Sequence, residues 1–211
     1  QCYTHKILTG RRDDFEKLRT EDGLSGFPNP DESEYDLFSV GHAGTAIPTA
    51  LGMALGAAHN KTNEKIVALV GDASIVNGLS FEELNNLCLA KRQLLIVLND
   101  NSMAIDVTQG AMAEFLSKVR LSHTYEDFRK TTNRILEHLP LVGKRMEEAV
   151  ENFKRTLRMA NTPSRLFESM NIPYFGPVDG HDIGSLIKLF KALAHLETPA
   201  VLHVYTRKGK G

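Results

Sequence analysis

The stretch that decides the fold is "KIVALVGDASIVNGLSFEELNNLCLAKRQLLIVLNDNSM", residues 65–103. It carries two continuous apolar runs, "KIVALVGD" (65–72) and "QLLIVLND" (93–100). Such runs suit strands of a parallel sheet covered on both faces. Residues 78–91 between them read as a helix. Ser80 and Glu83 have the S-x-x-E spacing of a capping box, although a start one turn earlier is equally open. Strand, helix and strand in so short a span make a βαβ unit with a right-handed crossover.

Working outward, the Ala- and Gly-rich stretch from Thr45 to His59 predicts a helix packed closely on its neighbour. Pro48 is tolerated only in a first turn, so that helix starts near Ala46 or Ile47. Residues 1–40 are expected to be mostly loop, with Gly, Pro and acidic residues gathered in "DGLSGFPNPDESEYD" (22–36). Loops of that length serve a site or cover a surface. Residues 110–170 are expected to form a helical insert. Within it Met146, Ala149, Val150, Phe153 and Leu157 share one apolar stripe, which suits a helix lying on a core. Asn161-Thr162-Pro163 breaks the pattern before a short helix in "SRLFESM" (164–170). "IPYFGPVDG" (172–180) reads as a strand and turn, Asp182 as the cap of the helix "IGSLIKLFKALAHL" (183–196), and "AVLHVYT" (200–206) as a last strand. The order predicts an α/β fold with a mainly parallel sheet flanked by helices. No repeat or interior linker divides residues 1–211.

The bulk composition narrows the function classes. The chain has 211 residues, 42% hydrophobic and 24% charged, with a net charge of −1. These are values of an ordinary globular domain, with no basic excess for nucleic acid. No apolar run is long enough for a membrane-spanning helix. Cys2 and Cys88 form neither a metal spacing nor a disulfide framework, which fits a reducing compartment. The start lacks Met and a signal core, so the chain reads as part of a longer protein.

In open parallel sheets ligands bind beyond the carboxyl ends of the strands. Asp72 and Asn101 each stand at such an end, one helical crossover apart. A carboxylate and a carboxamide side by side form a hard-oxygen pair suited to Mg²⁺, which completes its octahedron with phosphate oxygens and water. Ala73 and Ser74 are small enough for their backbone N–H groups to approach a phosphate, and a nearby helix start favours an anion. Asp and Asn also serve as plain cap and turn residues, so both readings stand on spacing alone. Neither a P-loop nor a dinucleotide-binding glycine pattern occurs.

Gly71-Asp72 followed by Asn101 resembles the thiamine diphosphate motif, which begins Gly-Asp-Gly and ends in Asn. The surrounding text narrows the resemblance: "THKILTGRRDDFEKLRTEDGLSGFPNPDESEYDLFSVGHAGTAI" (4–47), "ALGMALG" (50–56), "FEELNN" (81–86), "VLNDNSMAI" (97–105), "GPVDGHD" (176–182) and "TRKGKG" (206–211). Together these resemble the 1-deoxy-D-xylulose-5-phosphate synthase family, in order along nearly the whole chain and weakest over 110–170. Transketolase, a relative, shares the metal motif and a similar Asp-Gly-His-Asp turn, but not "HKILTGRR" or "GLSGFP".

The resemblance implies a transketolase-like, thiamine diphosphate-binding fold in an incomplete copy. Residues 1–211 would be the diphosphate-binding domain, with pyrimidine-binding and C-terminal domains absent. It implies Asp72, the Asn101 side chain and the Met103 carbonyl as Mg²⁺ ligands. Gly41, His42, Ala43, Gly71, Ala73, Ser74 and Asn101 would contact the cofactor, with His42 near the diphosphate or the substrate. Asp179 and His181 are expected to shape their loop and cap the following helix, with contact to a ligand as the other reading. Arg11 and Arg12 are expected as solvated or salt-bridged surface residues, with attraction of phosphate as the other reading.

The implied enzyme is a transferase joining pyruvate to glyceraldehyde 3-phosphate with loss of CO₂. Its product would feed isoprenoid, thiamine and pyridoxal synthesis. The enzyme would be a homodimer of the bacterial cytoplasm, or of a plastid, without nucleic-acid or membrane partners. No catalytic residue is expected within 1–211, and this stretch alone would be inactive. Two departures stand out: Ala73 where the family has Gly, and Ala43-Gly44 where it has Ser-Ser. They leave open a non-catalytic homologue serving as a binding or assembly module, and transketolase-type ketol transfer is a further alternative. Ala73 is acceptable only at a negative φ.

Overall fold

The structure, a computed structural model, describes residues 2–101, 110, 111, 114, 116 and 165–210. The chain divides into two compact units, Gln1–Ala43 and Gly44–Gly211. The stripe expected over 146–157, and nearly all of the 110–160 stretch, lie outside the described residues.

The first unit is less irregular than its composition predicts. Helix α1 spans Cys2–Leu8, and a 3₁₀ segment spans Arg12–Lys17. Gly10, at φ +89°, closes α1, and the Arg11 N–H reaches back to the Lys6 carbonyl at 3.0 Å. Only a residue free to turn left-handed allows this closure without strain. The remaining chain is organised by buried charge. Asp36, 2% exposed, accepts both Arg11 nitrogens at 2.8 Å and the Asn29 N–H at 2.8 Å, and lies 2.7 Å from His5 Nε2. Lys6, fully buried, pairs with Glu32, which also accepts the Ser25 N–H at 2.6 Å. Arg11 is therefore neither solvated nor available to phosphate: it is 7% exposed and held bidentately by a carboxylate. The Arg11 guanidinium is the main reason the Asp36 carboxyl lies well below its usual range. Burial pushes Glu32 up, but hydrogen bonds from Lys6 and the Ser25 N–H outweigh it, so Glu32 is also lowered.

The second unit is built on a four-stranded sheet, parallel throughout among the described residues. Its elements are α2 (Ala46–His59), β1 (Ile66–Gly71), α3 (Asp72–Ile75), α4 (Gly78–Asn86), a 3₁₀ turn (Leu87–Leu89), β2 (Leu94–Asp100), α5 (Arg165–Ser169), β3 (Tyr174–Asp179), α6 (Ile183–Leu193) and β4 (Pro199–Tyr205). The strand order is β1-β2-β4-β3. Side chains alternate across β2. Leu94, Ile96 and Leu98 join Ile47, Leu51, Ile75 and Leu84 in one core, beneath α2, α3 and α4. Leu95 and Val97 join Phe175, Leu189, Leu193 and Leu202 in the other, beneath α6. Burying each such side chain contributes about 1.5–3 kcal/mol before entropy is counted.

β1 departs from the expected two-sided burial. Val67 and Leu69 are 53% and 48% exposed, so among the described residues only one of its faces is covered. Pro48 sits in the first turn of α2, where its missing N–H has no intrahelical partner to lose.

The capping box is corrected. Asn77 caps α4, accepting the Leu79 N–H at 2.9 Å. Ser80 is fully buried, its hydroxyl 3.0 Å from the carbonyls of both Gly44 and Ser74. Gly44 has φ +85°, and a Cβ there would lie 2.5 Å from Asn77 Cγ, so this turn requires glycine. Asn77→Ala is expected to cost about 1 kcal/mol in urea unfolding, while Glu83→Ala stays within about 0.5 kcal/mol. A larger cost at Glu83 would restore the box.

Candidate functional site

Register places the site residues. β1 and β2 pair directly, with Gly71 opposite Asn99. Neighbouring strands run about 4.8 Å apart, so Asp72, one residue beyond β1, and Asn101, just past β2, belong to one edge of the sheet. Asp72 is buried at 5% exposure, and its Oδ1 accepts the Ala73 N–H at 2.8 Å. Asn101 is half-buried.

The departure at position 73 meets its condition. Ala73 lies within α3 and is not among the residues with positive φ. Its methyl therefore carries no conformational penalty. Gly71 is extended, at φ −82° and ψ 160°, and a Cβ there would meet only Ser74 Oγ at 4.0 Å. Neither backbone conformation nor packing among the described residues asks for glycine at 71. Ser74 is half-buried, its carbonyl engaged by Ser80. Gly41, His42 and Ala43 are exposed and close the first unit. Met103 lies outside the described residues.

The rest of the "NDN" run is absorbed by the sheet. Asn99 Oδ1 accepts the Thr206 hydroxyl at 2.7 Å, and the Asp100 carbonyl accepts the Thr206 N–H at 2.8 Å. The Asp100 side chain, 2% exposed, lies 3.2 Å from His203 Nε2. The other ring nitrogen of His203 lies 2.6 Å from the Tyr174 hydroxyl. Burial, and secondarily the Asp100 charge, push the Tyr174 hydroxyl well above its ordinary value. Sequence reading passed over this trio; the signal was a histidine inside the apolar run "AVLHVYT".

In the "GPVDGHD" turn Asp179 and His181 shape the loop as expected but do not cap the following helix, which Asp182 does. Asp179 Oδ1 accepts the His181 N–H at 2.9 Å, and His181 Nε2 accepts the Arg207 N–H at 2.9 Å. Asp182 caps α6, accepting the Ser185 N–H at 3.1 Å and its hydroxyl at 2.6 Å.

Among the described residues no three His, Cys, Asp or Glu side chains converge as a metal cluster. Asp72 and Asn101 bring a carboxylate and a carboxamide to neighbouring strand ends, and carboxylate and carboxamide oxygens are donors of the kind a hard cation takes beside phosphate and water. Both cysteines are free thiols. A solvent-open cavity of about 930 Å³ lies at the opposite edge, beside the strand starts, lined by Lys65, Arg92, Glu197 and Thr198 among others. It is remote from this pair. No helix among the described residues is long and apolar enough to cross a membrane.

Comparison with known proteins adds to this geometry. Residues 1–206 match the family model described as 1-deoxy-D-xylulose-5-phosphate synthase. Similar curated proteins of that name come from Azobacteroides pseudotrichonymphae genomovar. CFP2, 46% identical over 212 residues, and Bacteroides thetaiotaomicron, 44% identical over 213. A third, from Clostridium tetani, is 41% identical over 211 residues. Each alignment covers 100% of this chain and 33–34% of the relative, so the chain spans about a third of the length of the curated relatives it matches. Among solved structures, transketolase from Campylobacter jejuni aligns with a TM-score of 0.62 at 16% identity, covering 97% of this chain and 27% of that one. That likeness shows a shared fold.

Proposed function

The chain belongs to the 1-deoxy-D-xylulose-5-phosphate synthase family, and from that premise we propose that it supplies the diphosphate end of a thiamine diphosphate site. The enzyme it serves would condense pyruvate with glyceraldehyde 3-phosphate, releasing CO₂. The observation that carries the reading is the parallel register of Gly71 with Asn99, which sets Asp72 and Asn101 at adjoining strand ends.

Asp72 and Asn101 would hold Mg²⁺, with the Met103 carbonyl as a third protein oxygen, and the ion would anchor the diphosphate. Backbone groups of Ala73 and Ser74 would lie against that diphosphate, in the room left by Gly71. His42, in its Gly41-His42-Ala43 turn, would meet the cofactor or the substrate. The bound cofactor supplies the electron sink for breaking the bond to the departing carboxylate. This chain's part is to neutralise, anchor and orient. The working assembly is proposed as a cytoplasmic homodimer.

Two measurements test this. Calorimetry on the intact protein is expected to show saturable thiamine diphosphate binding that disappears without Mg²⁺; a folded protein that binds none would be a non-catalytic module. A substrate panel is expected to show pyruvate-dependent CO₂ release. Activity with xylulose 5-phosphate as donor, without pyruvate, would instead make it a transketolase-type enzyme. Residues 1–211 alone are expected to give no product, because none of the proposed roles, His42 included, activates the reacting carbon of the cofactor. Detectable turnover by that stretch would refute this.

A further inference from the structure

We propose that His203 and Asp100 are positioning residues for Asn101: the Tyr174–His203–Asp100 line locks the end of β2 so that the carboxamide faces the metal. The proposal rests on the diphosphate-site reading above. Its starting point is an anomaly of the core. His203 is fully buried, and Asp100 and Tyr174 are 2% and 5% exposed, on three strands whose other buried positions are mostly apolar. Burying polar and charged groups is costly unless each is matched, and well-packed apolar residues often serve stability as well or better. The fold alone does not call for this trio.

Its geometry gives it direction. The Tyr174 hydroxyl lies 2.6 Å from His203 Nδ1, and His203 Nε2 lies 3.2 Å from Asp100 Oδ2. A carboxylate only accepts, so we place the ring proton on Nε2, which leaves Nδ1 to accept from the Tyr174 hydroxyl. The line crosses three strands, β3 to β4 to β2, and ends on the residue immediately before Asn101. Thr206 completes the clamp, engaging the Asp100 carbonyl and the Asn99 side chain. Both residues preceding Asn101 are thus fixed, one through its side chain and one through side chain and main chain. Outer-shell contacts of this kind set how well a ligand is aimed, and their loss typically lowers metal affinity about 10–100-fold.

The test is Mg²⁺-dependent thiamine diphosphate binding by the intact protein, read by calorimetry beside the thermal midpoint. The variants are His203→Gln, Asp100→Asn and, as a direct-ligand control, Asp72→Asn. Asp100→Asn keeps the shape but replaces a charged acceptor by a weaker neutral one, and carries the test if His203→Gln does not fold. About a tenfold affinity loss in His203→Gln or Asp100→Asn, with the midpoint held, is the expected result. Wild-type affinity in the folded variants, or loss only in step with the unfolded fraction, would overturn the proposal and leave a structural brace. Ring nitrogen shifts of His203 placing the proton on Nδ1 would also overturn it. A folded wild type that binds no cofactor would refute the diphosphate-site reading itself, and this proposal with it.

Discussion

Asp72→Asn is expected to lower the Mg²⁺-dependent affinity of the intact protein for thiamine diphosphate by about 100-fold or more. Removing even an outer-shell partner of a metal costs about 10–100-fold, and Asp72 is proposed as a direct ligand. The substitution is chosen for what it keeps. Asn retains the Oδ1 that accepts the Ala73 N–H at 2.8 Å, so the start of α3 survives. What it removes is one negative charge at a buried position, where a divalent ion has few oxygens to draw on. Calorimetry with and without Mg²⁺ reads the loss, and an unchanged thermal midpoint separates it from unfolding. Equal affinity in the variant would make Asp72 a turn residue and remove the main support for the proposed function.

The second large effect is on stability. Asp36→Ala is expected to take about 3–5 kcal/mol from the amino-terminal unit, because it leaves Arg11 buried without its bidentate partner. Thr9 at 2.8 Å and Glu32 at 3.4 Å would remain, but neither replaces the bidentate carboxylate, and Arg11 Nε is already buried without a hydrogen-bond partner. The same cluster dictates an acid response. Asp36 and Glu32 both have lowered pKa values in the folded unit. Their contribution is therefore complete above the unfolded carboxylate value, about 4, and declines as pH falls below it, because protonation breaks the pairs. The chain has no Trp, so amide hydrogen exchange over residues 2–43 is the suitable measurement. Exchange there is expected to accelerate as the pH is lowered through that window, after correction for intrinsic rates. Asp36→Ala should accelerate it at neutral pH and flatten the acid response. Protection unchanged by either perturbation would mean that the cluster contributes nothing net.

How legible all this was depended on the range of the interactions involved. The strands β1 and β2 announce themselves by unbroken apolar runs, and β3 and β4 by shorter apolar stretches bounded by turn and helix signals. The cap at Asp182 is local, three residues from Ser185, and was readable for that reason. The pairing of Arg11 with Asp36 joins residues 25 apart through an irregular segment, and no pattern in the text signals it. Ser80 and Glu83 misled because the motif records only spacing, while the Ser80 hydroxyl was drawn to the carbonyls of Gly44 and Ser74. At the site, Asp72 and Asn101 were readable as strand-end residues, and the register between their strands came only with the structure. Ala73 needed a backbone angle before its methyl could be judged.

The strand order has a consequence for how the protein is made. β4, the last of the described strands in sequence, lies between β2 and β3, and β3 pairs with β4 alone among the described residues. During synthesis β3 therefore leaves the ribosome with none of the other described strands to join. β2 likewise waits for its β4 partner until residues 199–205 emerge. Only then can the nascent chain join these four strands, an interval in which apolar strand edges are open to chaperones and to misassociation.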